Sequence, residues 1–159
     1  MGAQVVQKDS LYSNYLKEQK PLEIIFPKNF KHCVSDKFDV LYVLDGEWNT
    51  TLAVRAYEFL EYAKFVPTNI IIVNVPNYYQ DGMNMRDRDF TPTAMEGSPM
   101  AGRANNFLLS LKEELIPFVT GKCRVEIEDN ILYGTSSGGF IRNLCLLTRT
   151  KAFYIIYNR

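Results

Sequence analysis

Asn130-Ile131-Leu132-Tyr133-Gly134-Thr135-Ser136-Ser137-Gly138-Gly139-Phe140-Ile141-Arg142-Asn143-Leu144-Cys145-Leu146-Leu147 is the stretch on which the reading of this chain turns. A short strand-like run, Asn130 to Tyr133, enters a cluster of small residues, and an apolar helical segment from about Ser137 to Leu147 leaves it. Gly134 to Gly138 spell G-x-S-x-G. Glycine and serine are common enough that this pattern arises by chance in roughly one chain in twenty of this length. Its flanks give it weight, because strand, tight turn and helix together force the serine into a sharp corner at the C-terminal edge of a sheet. Glycines two before and two after Ser136 remove side chains that would collide there. The hydroxyl stands exposed, and the helix N-terminus behind it offers free N–H groups and partial positive charge to a developing oxyanion. Ser136 is thus the candidate nucleophile, and the backbone N–H of Ser137 a candidate oxyanion donor. The plain alternative is a strand-to-helix turn rich in small residues.

Working outward, strand-like and helix-like segments alternate. Ile70 to Val75 is the clearest buried strand, closed by Pro76. Asp39 to Leu44 is nearly continuous in apolar residues and ends in the turn signal Asp45-Gly46, which suits a strand covered on both faces. Leu22 to Phe26 is a short β-rich run closed by Pro27. Between Thr50 and Phe65, Leu52, Ala53, Ala56, Phe59, Leu60 and Ala63 recur near the helical period. Residues 76 to 104 form a long loop rich in Asn, Asp, Gly, Pro and Met, and long loops in compact domains are often functional. A helix then carries Phe107, Leu108, Leu111, Leu115 and Ile116 before Pro117 disturbs it. Ala152 to Tyr157 reads as a further buried strand. The alternation predicts an α/β layered fold.

Composition excludes several classes. Eighteen lysines and arginines balance eighteen aspartates and glutamates, so no electrostatic argument favours nucleic acid or an anionic membrane surface. At 47% apolar residues the chain can bury a core, yet no run approaches the ~20 residues of a membrane span. Cys33, Cys123 and Cys145 are odd in number and widely spaced, which fits buried thiols better than disulfides or a zinc site. No metal or organic cofactor is implied. Met1-Gly2-Ala3-Gln4 lacks the basic and apolar regions of a secretory signal. The residues do not choose between a cytoplasmic chain and a secreted one whose signal has been removed.

Several segments then line up in order with one family. Ser13 to Phe26 is similar to an opening strand pair in which "S-x-x-L-x-E-x-R" leads into an apolar strand, with Lys20 where arginine is usual. Val40 to Glu47 (Val-Leu-Tyr-Val-Leu-Asp-Gly-Glu) resembles a recognisable strand and loop. Arg86 to Pro92 resembles "R-x-x-D-[FLY]-T-P", and Phe107 to Pro117 resembles "F-x-x-F-L-x-x-E-L-I-P". Gly134 to Gly139 stands for "G-H-S-x-G-G", with Thr135 where histidine is common. The chain resembles the esterase family that includes enterobactin-type siderophore, feruloyl and acetyl-xylan esterases and S-formylglutathione hydrolases. The resemblance implies a three-layer α/β-hydrolase fold, here the N-terminal part of a mostly parallel sheet with helices on both faces. It also implies hydrolysis of carboxylic esters through an acyl-serine, with the N–H of Glu47 as second oxyanion donor. The substrate implied is a small-molecule or carbohydrate-linked ester. On their own, Asp45-Gly46 is a turn that ends a strand, Arg86 to Asp89 a solvated ion-pair cluster, and Glu113 with Glu114 an exposed helix face. Met83, Met85, Met95 and Met100 could line an apolar cleft or pack down a loop.

A serine hydroxyl needs a positioned base, and in this fold acid and histidine follow the nucleophile. Residues 137 to 159 contain no Asp, Glu or His, and the only histidine, His32, precedes Ser136. His32 falls before the Asp39–Leu44 strand, on the order of 15–20 Å from the site edge, so it reads as a partly exposed loop residue. The expectation is one incomplete domain over residues 1–159, lacking the acid- and histidine-bearing part and weak or inactive alone. Two other readings stand beside the esterase. One is a non-catalytic module that associates, itself included, through the uncovered Phe153–Tyr157 edge. The other is acyl transfer to a carbohydrate.

Overall fold

The computed structural model describes residues 5–28, 30, 37–123, 126–147 and 153–155. In chain order the elements are β1 (Val5–Ser13), β2 (Glu18–Phe26), β3 (Lys37–Leu44), α1 (Gly46–Tyr62), β4 (Ile70–Val75), the hairpin β5 (Tyr79–Gln80) and β6 (Met83–Asn84), and α2 (Arg86–Phe90). There follow α3 (Ala104–Ser110), a π-helical turn (Leu111–Leu115), α4 (Ile116–Cys123), β7 (Glu126–Tyr133), α5 (Gly138–Leu147) and β8 (Tyr154–Ile155). Among the described residues six strands form one sheet in the order β1-β2-β4-β3-β7-β8. The β1/β2 and β2/β4 pairs are antiparallel, and from β4 to β8 the sheet is parallel.

The near-continuous apolar runs become inner strands because both of their faces are covered. On one face Ile24, Val40, Tyr42, Ile71 and Val73 pack with Phe107, Leu111, Leu115, Val119, Ile141 and Cys145 from α3 through α5. On the other, Ile25, Val43 and Ile72 pack with Tyr57, Ala53 and Val54 of α1. Helices thus cover both faces, with α1 alone on one of them among the described residues.

Three boundaries differ from the sequence reading. The opening strand pair begins earlier than Ser13: its turn is Asn14–Lys17, where Lys17 takes a positive φ of 59° and its N–H bonds the Ser13 carbonyl. β1 was hidden because its residues alternate between exposed and half-buried and carry little apolar signal. Pro117 does not end its helix. Proline lacks an N–H and crowds the carbonyl four residues back, but the preceding turn is widened, with Ile116 N–H reaching the Leu111 carbonyl. The long loop also holds structure of its own, the β5–β6 hairpin and α2. Its methionines part ways: Met85 is buried, while Met83 and Met95 are exposed. Glu114 is no plain surface residue, since its carboxylate accepts from Ser13 Oγ (2.6 Å) and Asn14 N–H (2.8 Å) and so ties the β1–β2 turn to the helix.

Burial raises the thiol pKa values of Cys123 and Cys145 from 9.0 to about 11. It raises the Tyr57 phenol to about 12, against the opposing Ile70 N–H. It pushes Tyr42, which is fully buried, up as well. All four groups are neutral when protonated and titrate later folded than unfolded. Their contribution is complete below the unfolded values and is lost as pH rises through the folded ones. The urea midpoint of unfolding is therefore expected to fall steadily above about pH 9, and Tyr42→Phe should flatten that fall. A midpoint that holds level into the alkaline range would contradict the assignment.

Candidate active site

β3 and β7 lie side by side and parallel, with Val43 opposite Tyr133. The segments that follow them therefore leave the same edge of the sheet as neighbours. After β7 the chain turns through Gly134, Thr135, Ser136 and Ser137 into α5. Ser136 is exposed and has a φ of 53°, a left-handed conformation that a non-glycine residue holds only at a penalty of roughly 1–3 kcal/mol. Three short bonds hold it: Gly138 N–H to the Thr135 carbonyl, Gly139 to Ser136 and Phe140 to Ser137, each 2.9 Å. A Cβ on Gly134 would sit 2.7 Å from the Gly138 carbonyl oxygen, so the corner closes only around glycine. Gly134→Ala is expected to lower stability by about 1–3 kcal/mol through that overlap, read as a drop in melting temperature. An unchanged melting temperature would mean that the turn yields easily.

After β3, Asp45 also takes a positive φ, 52°, and Gly46 begins α1. A side chain at Gly46 would overlap the Asn74 amide, which is itself held by Glu23. The Asp45 carboxylate is 1% exposed and accepts from Arg86 Nε (2.6 Å), Arg86 Nη2 (2.8 Å) and Asn77 Nδ2 (2.9 Å). The third arm of the same guanidinium, Nη1, donates to Ser137 Oγ at 2.9 Å. Arg86 thus bridges the loop after β3 to the turn after β7, and it lies over the rings of Trp48 and Phe90. Hydrogen bonds to Asp45 raise its pKa against an opposing effect of burial, with further help from the charges of Asp45, Asp87 and Glu47.

The residues singled out from sequence come to one edge. Ser136 and Ser137 are consecutive in the turn, and Glu47 is the second residue of α1 in the loop beside it. The Glu47 carboxylate is engaged with Asn77, through the backbone N–H (3.1 Å) and Nδ2 (2.7 Å). Its own N–H lies in the first helical turn, where the helix supplies no acceptor, and Ser137 immediately precedes the first residue of α5. Trp48 and Asn49 N–H both take the Asp45 carbonyl at 3.0 Å. His32 and Cys33 lie outside the described residues. No group of three or more His, Cys, Asp or Glu is placed to hold a metal ion among the described residues, and no helix there is long and apolar enough to cross a membrane.

Residues 13–156 match the family described as "Putative esterase". The chain belongs to that esterase family. An IroE-like serine hydrolase from Shewanella oneidensis has the same architecture, with a TM-score of 0.78 at 27% identity over 94% of this chain and 48% of its own. The BES protein from Bacillus cereus gives 0.75 at 25% identity over 96% and 62%. The siderophore hydrolase EstA from Aspergillus nidulans shares the fold at 0.78 and 22% identity, over 95% and 55%. The esterase-family chain therefore spans about half the length of solved structures that it resembles. No curated protein matches it.

Behind the site of this esterase-family chain lies a second ionic cluster, and here the solvated reading of Arg86 to Asp89 fails. Arg88 and Asp89 are buried, as are Glu18 and Lys20 of β2. Arg88 forks onto Glu18 with two 2.7 Å bonds and reaches Asp89 Oδ1 with a third. Lys20 Nζ sits 3.6 Å from Glu18 and 3.5 Å from Asp89. Burial draws the Arg88 pKa down, but the bonds to Glu18 and Asp89 outweigh it and leave it raised. Two cations and two carboxylates thus pin α2 against β2. The residues missed from sequence are Asp45, Asn77 and Arg86 as one network. The first had been visible as a turn residue and the third as a surface charge, while Asn77 carried no signal.

Proposed function

We propose that this chain supplies the nucleophile and the oxyanion donors of a carboxylic-ester hydrolase acting through an acyl-serine at Ser136. The observation that carries the reading is the left-handed, exposed Ser136 at the corner between β7 and α5. Its Oγ attacks the ester carbonyl carbon while its proton passes to a base. The carbonyl oxygen takes the negative charge and faces the N–H groups of Ser137 and Glu47 at two helix N-termini. Collapse expels the alcohol and leaves acyl-Ser136, which water then cleaves by the same route. Arg86 fixes the distance between the two donors by holding Asp45 and Ser137 together. Family membership supports an ester as substrate and the Shewanella serine hydrolase supports a serine nucleophile, while the Aspergillus protein of the same fold is a siderophore hydrolase.

No Asp, Glu or His follows Ser136 in these 159 residues. Without a base in the usual order, turnover by this chain alone should lie several powers of ten below that of a complete triad. Two measurements test the proposal together. Hydrolysis of p-nitrophenyl butyrate should run near background, and a fast rate abolished by Ser136→Ala would reveal a base within the chain. Prolonged incubation with a fluorophosphonate should give one adduct, mapped by peptide mass to Ser136 and absent from Ser136→Ala. An adduct on another serine would sink the assignment.

A further inference from the structure

Helix α1 is apolar on two opposite sides. Thr50 and Tyr57 are buried against the sheet, with Ala53 and Val54 packed beside them. Half a turn away Trp48, Leu52, Phe59 and Tyr62 point into solvent, exposed by 59%, 64%, 66% and 88%. With Arg55 they are spaced alternately by four and three residues, which makes a straight crest about 21 Å long at 1.5 Å per residue. A helix laid on the sheet beside α1 would meet its flanks, Ala56 and Leu60 on one side or Glu58 and Glu61 on the other, and would leave the crest bare. A lipid surface does not suit it either, because the flanks carry Glu47, Glu58 and Glu61 where a membrane-seated helix carries a basic belt.

We propose that this crest is a twofold interface, on which α1 pairs antiparallel with α1 of a second copy of the chain. About Arg55 the outer pair is symmetric, Trp48 and Tyr62 each seven residues away, and Leu52 and Phe59 lie three and four residues away. A dyad there sets Trp48 of one copy against Tyr62 of the other, and brings Leu52 to within one residue's rise, about 1.5 Å, of Phe59. Such a surface is self-complementary, as an isologous contact requires, and the four-three alternation is that of a two-helix seam. Arg55 is bonded to its own Glu58 at 3.0 Å, so the two guanidiniums at the dyad are flanked by two carboxylates. A slid register would press Arg55 onto an apolar side chain, which fixes the alignment as a lone polar residue does in coiled coils. With about 200 Å² per aromatic side chain, the exposed parts amount to roughly 600 Å² per copy. The pair would bury ~1,200 Å², the lower end of specific interfaces, so the dimer should dissociate on dilution.

Sedimentation velocity of the full chain from about 1 to about 200 µM should show a monomer–dimer equilibrium. Phe59→Glu should move its midpoint at least ~10-fold higher in concentration at an unchanged melting temperature of the dilute monomer, since Phe59 is exposed and lies outside the core clusters. In a Cys33→Ser background, Arg55→Cys should form a disulfide-linked dimer under mild oxidation, whereas Trp48→Cys should not. Three results would each overturn the proposal. They are a monomer at every concentration, a dimer indifferent to Phe59→Glu (as pairing along β8 would give), or Trp48→Cys linking as readily as Arg55→Cys, which marks a parallel pair.

Discussion

Replacing Arg88 by methionine is expected to remove about 3–5 kcal/mol of stability, a large share of the 5–15 kcal/mol typical of a domain. The groups left behind set the cost. Methionine fills much of the space, but Glu18 and Asp89 stay buried with, among the described residues, Lys20 alone between them, one negative charge in excess. A buried pair is weak evidence of net stabilisation while whole, yet breaking it from one side is severe. The cause can be isolated by also replacing Glu18 with leucine, which returns the cluster to one cation and one anion. Chemical denaturation should then show the double variant recovering at least half of the loss. Equal losses in single and double variants would place the effect in packing, and the charge argument would fall.

Arg86→Met should have the next largest effect, about 2–4 kcal/mol. Among the described residues Asp45 would keep only Asn77 as a side-chain partner, and the side-chain bond from Arg86 to Ser137 would be lost. The loss should be smaller than at Arg88 because the Arg86 side chain is 20% exposed, so water can enter in its place. Arg86→Lys keeps the charge but cannot fork onto both Asp45 oxygens, and should restore only part of the stability. Trp48, the single tryptophan, lies under the guanidinium, so its emission should shift in Arg86→Met. Phosphonylation of Ser136 should slow in the same variant if the brace sets the oxyanion donors. Full stability with an unmoved emission spectrum would mean that Arg86 is a surface charge after all.

The two clusters also explain what could be read from the sequence. Strands buried on both faces announce themselves: Ile70–Val75 was legible residue for residue, and Asp39–Leu44 fell two residues short of β3. The turn at Ser136 was legible because its glycines are demanded locally, by the approach of Gly134 to Gly138. What escaped depends on partners far along the chain. Arg88 and Asp89 look solvated until β2 brings Glu18 and Lys20 to them. Glu114 looks like a helix surface until the Ser13–Asn14 turn lands on it. Asn77 is one of many loop asparagines until Asp45 and Glu47 close around it. Local pattern reports burial of apolar faces well, and it is silent on which buried charges will meet.

The strand order carries a consequence for folding. Val43 and Tyr133 touch, yet between them the chain runs through α1, β4, the hairpin and the whole α2–α4 segment. The site edge is therefore assembled by one of the longest loop closures in the molecule, which is entropically late and slow. Parting β7 from β3 would abolish the site while leaving the β2–β4–β3–α1 unit largely in contact with itself. Protection of the β7 amides against hydrogen exchange thus sets an upper bound on the time for which the Ser136 corner exists.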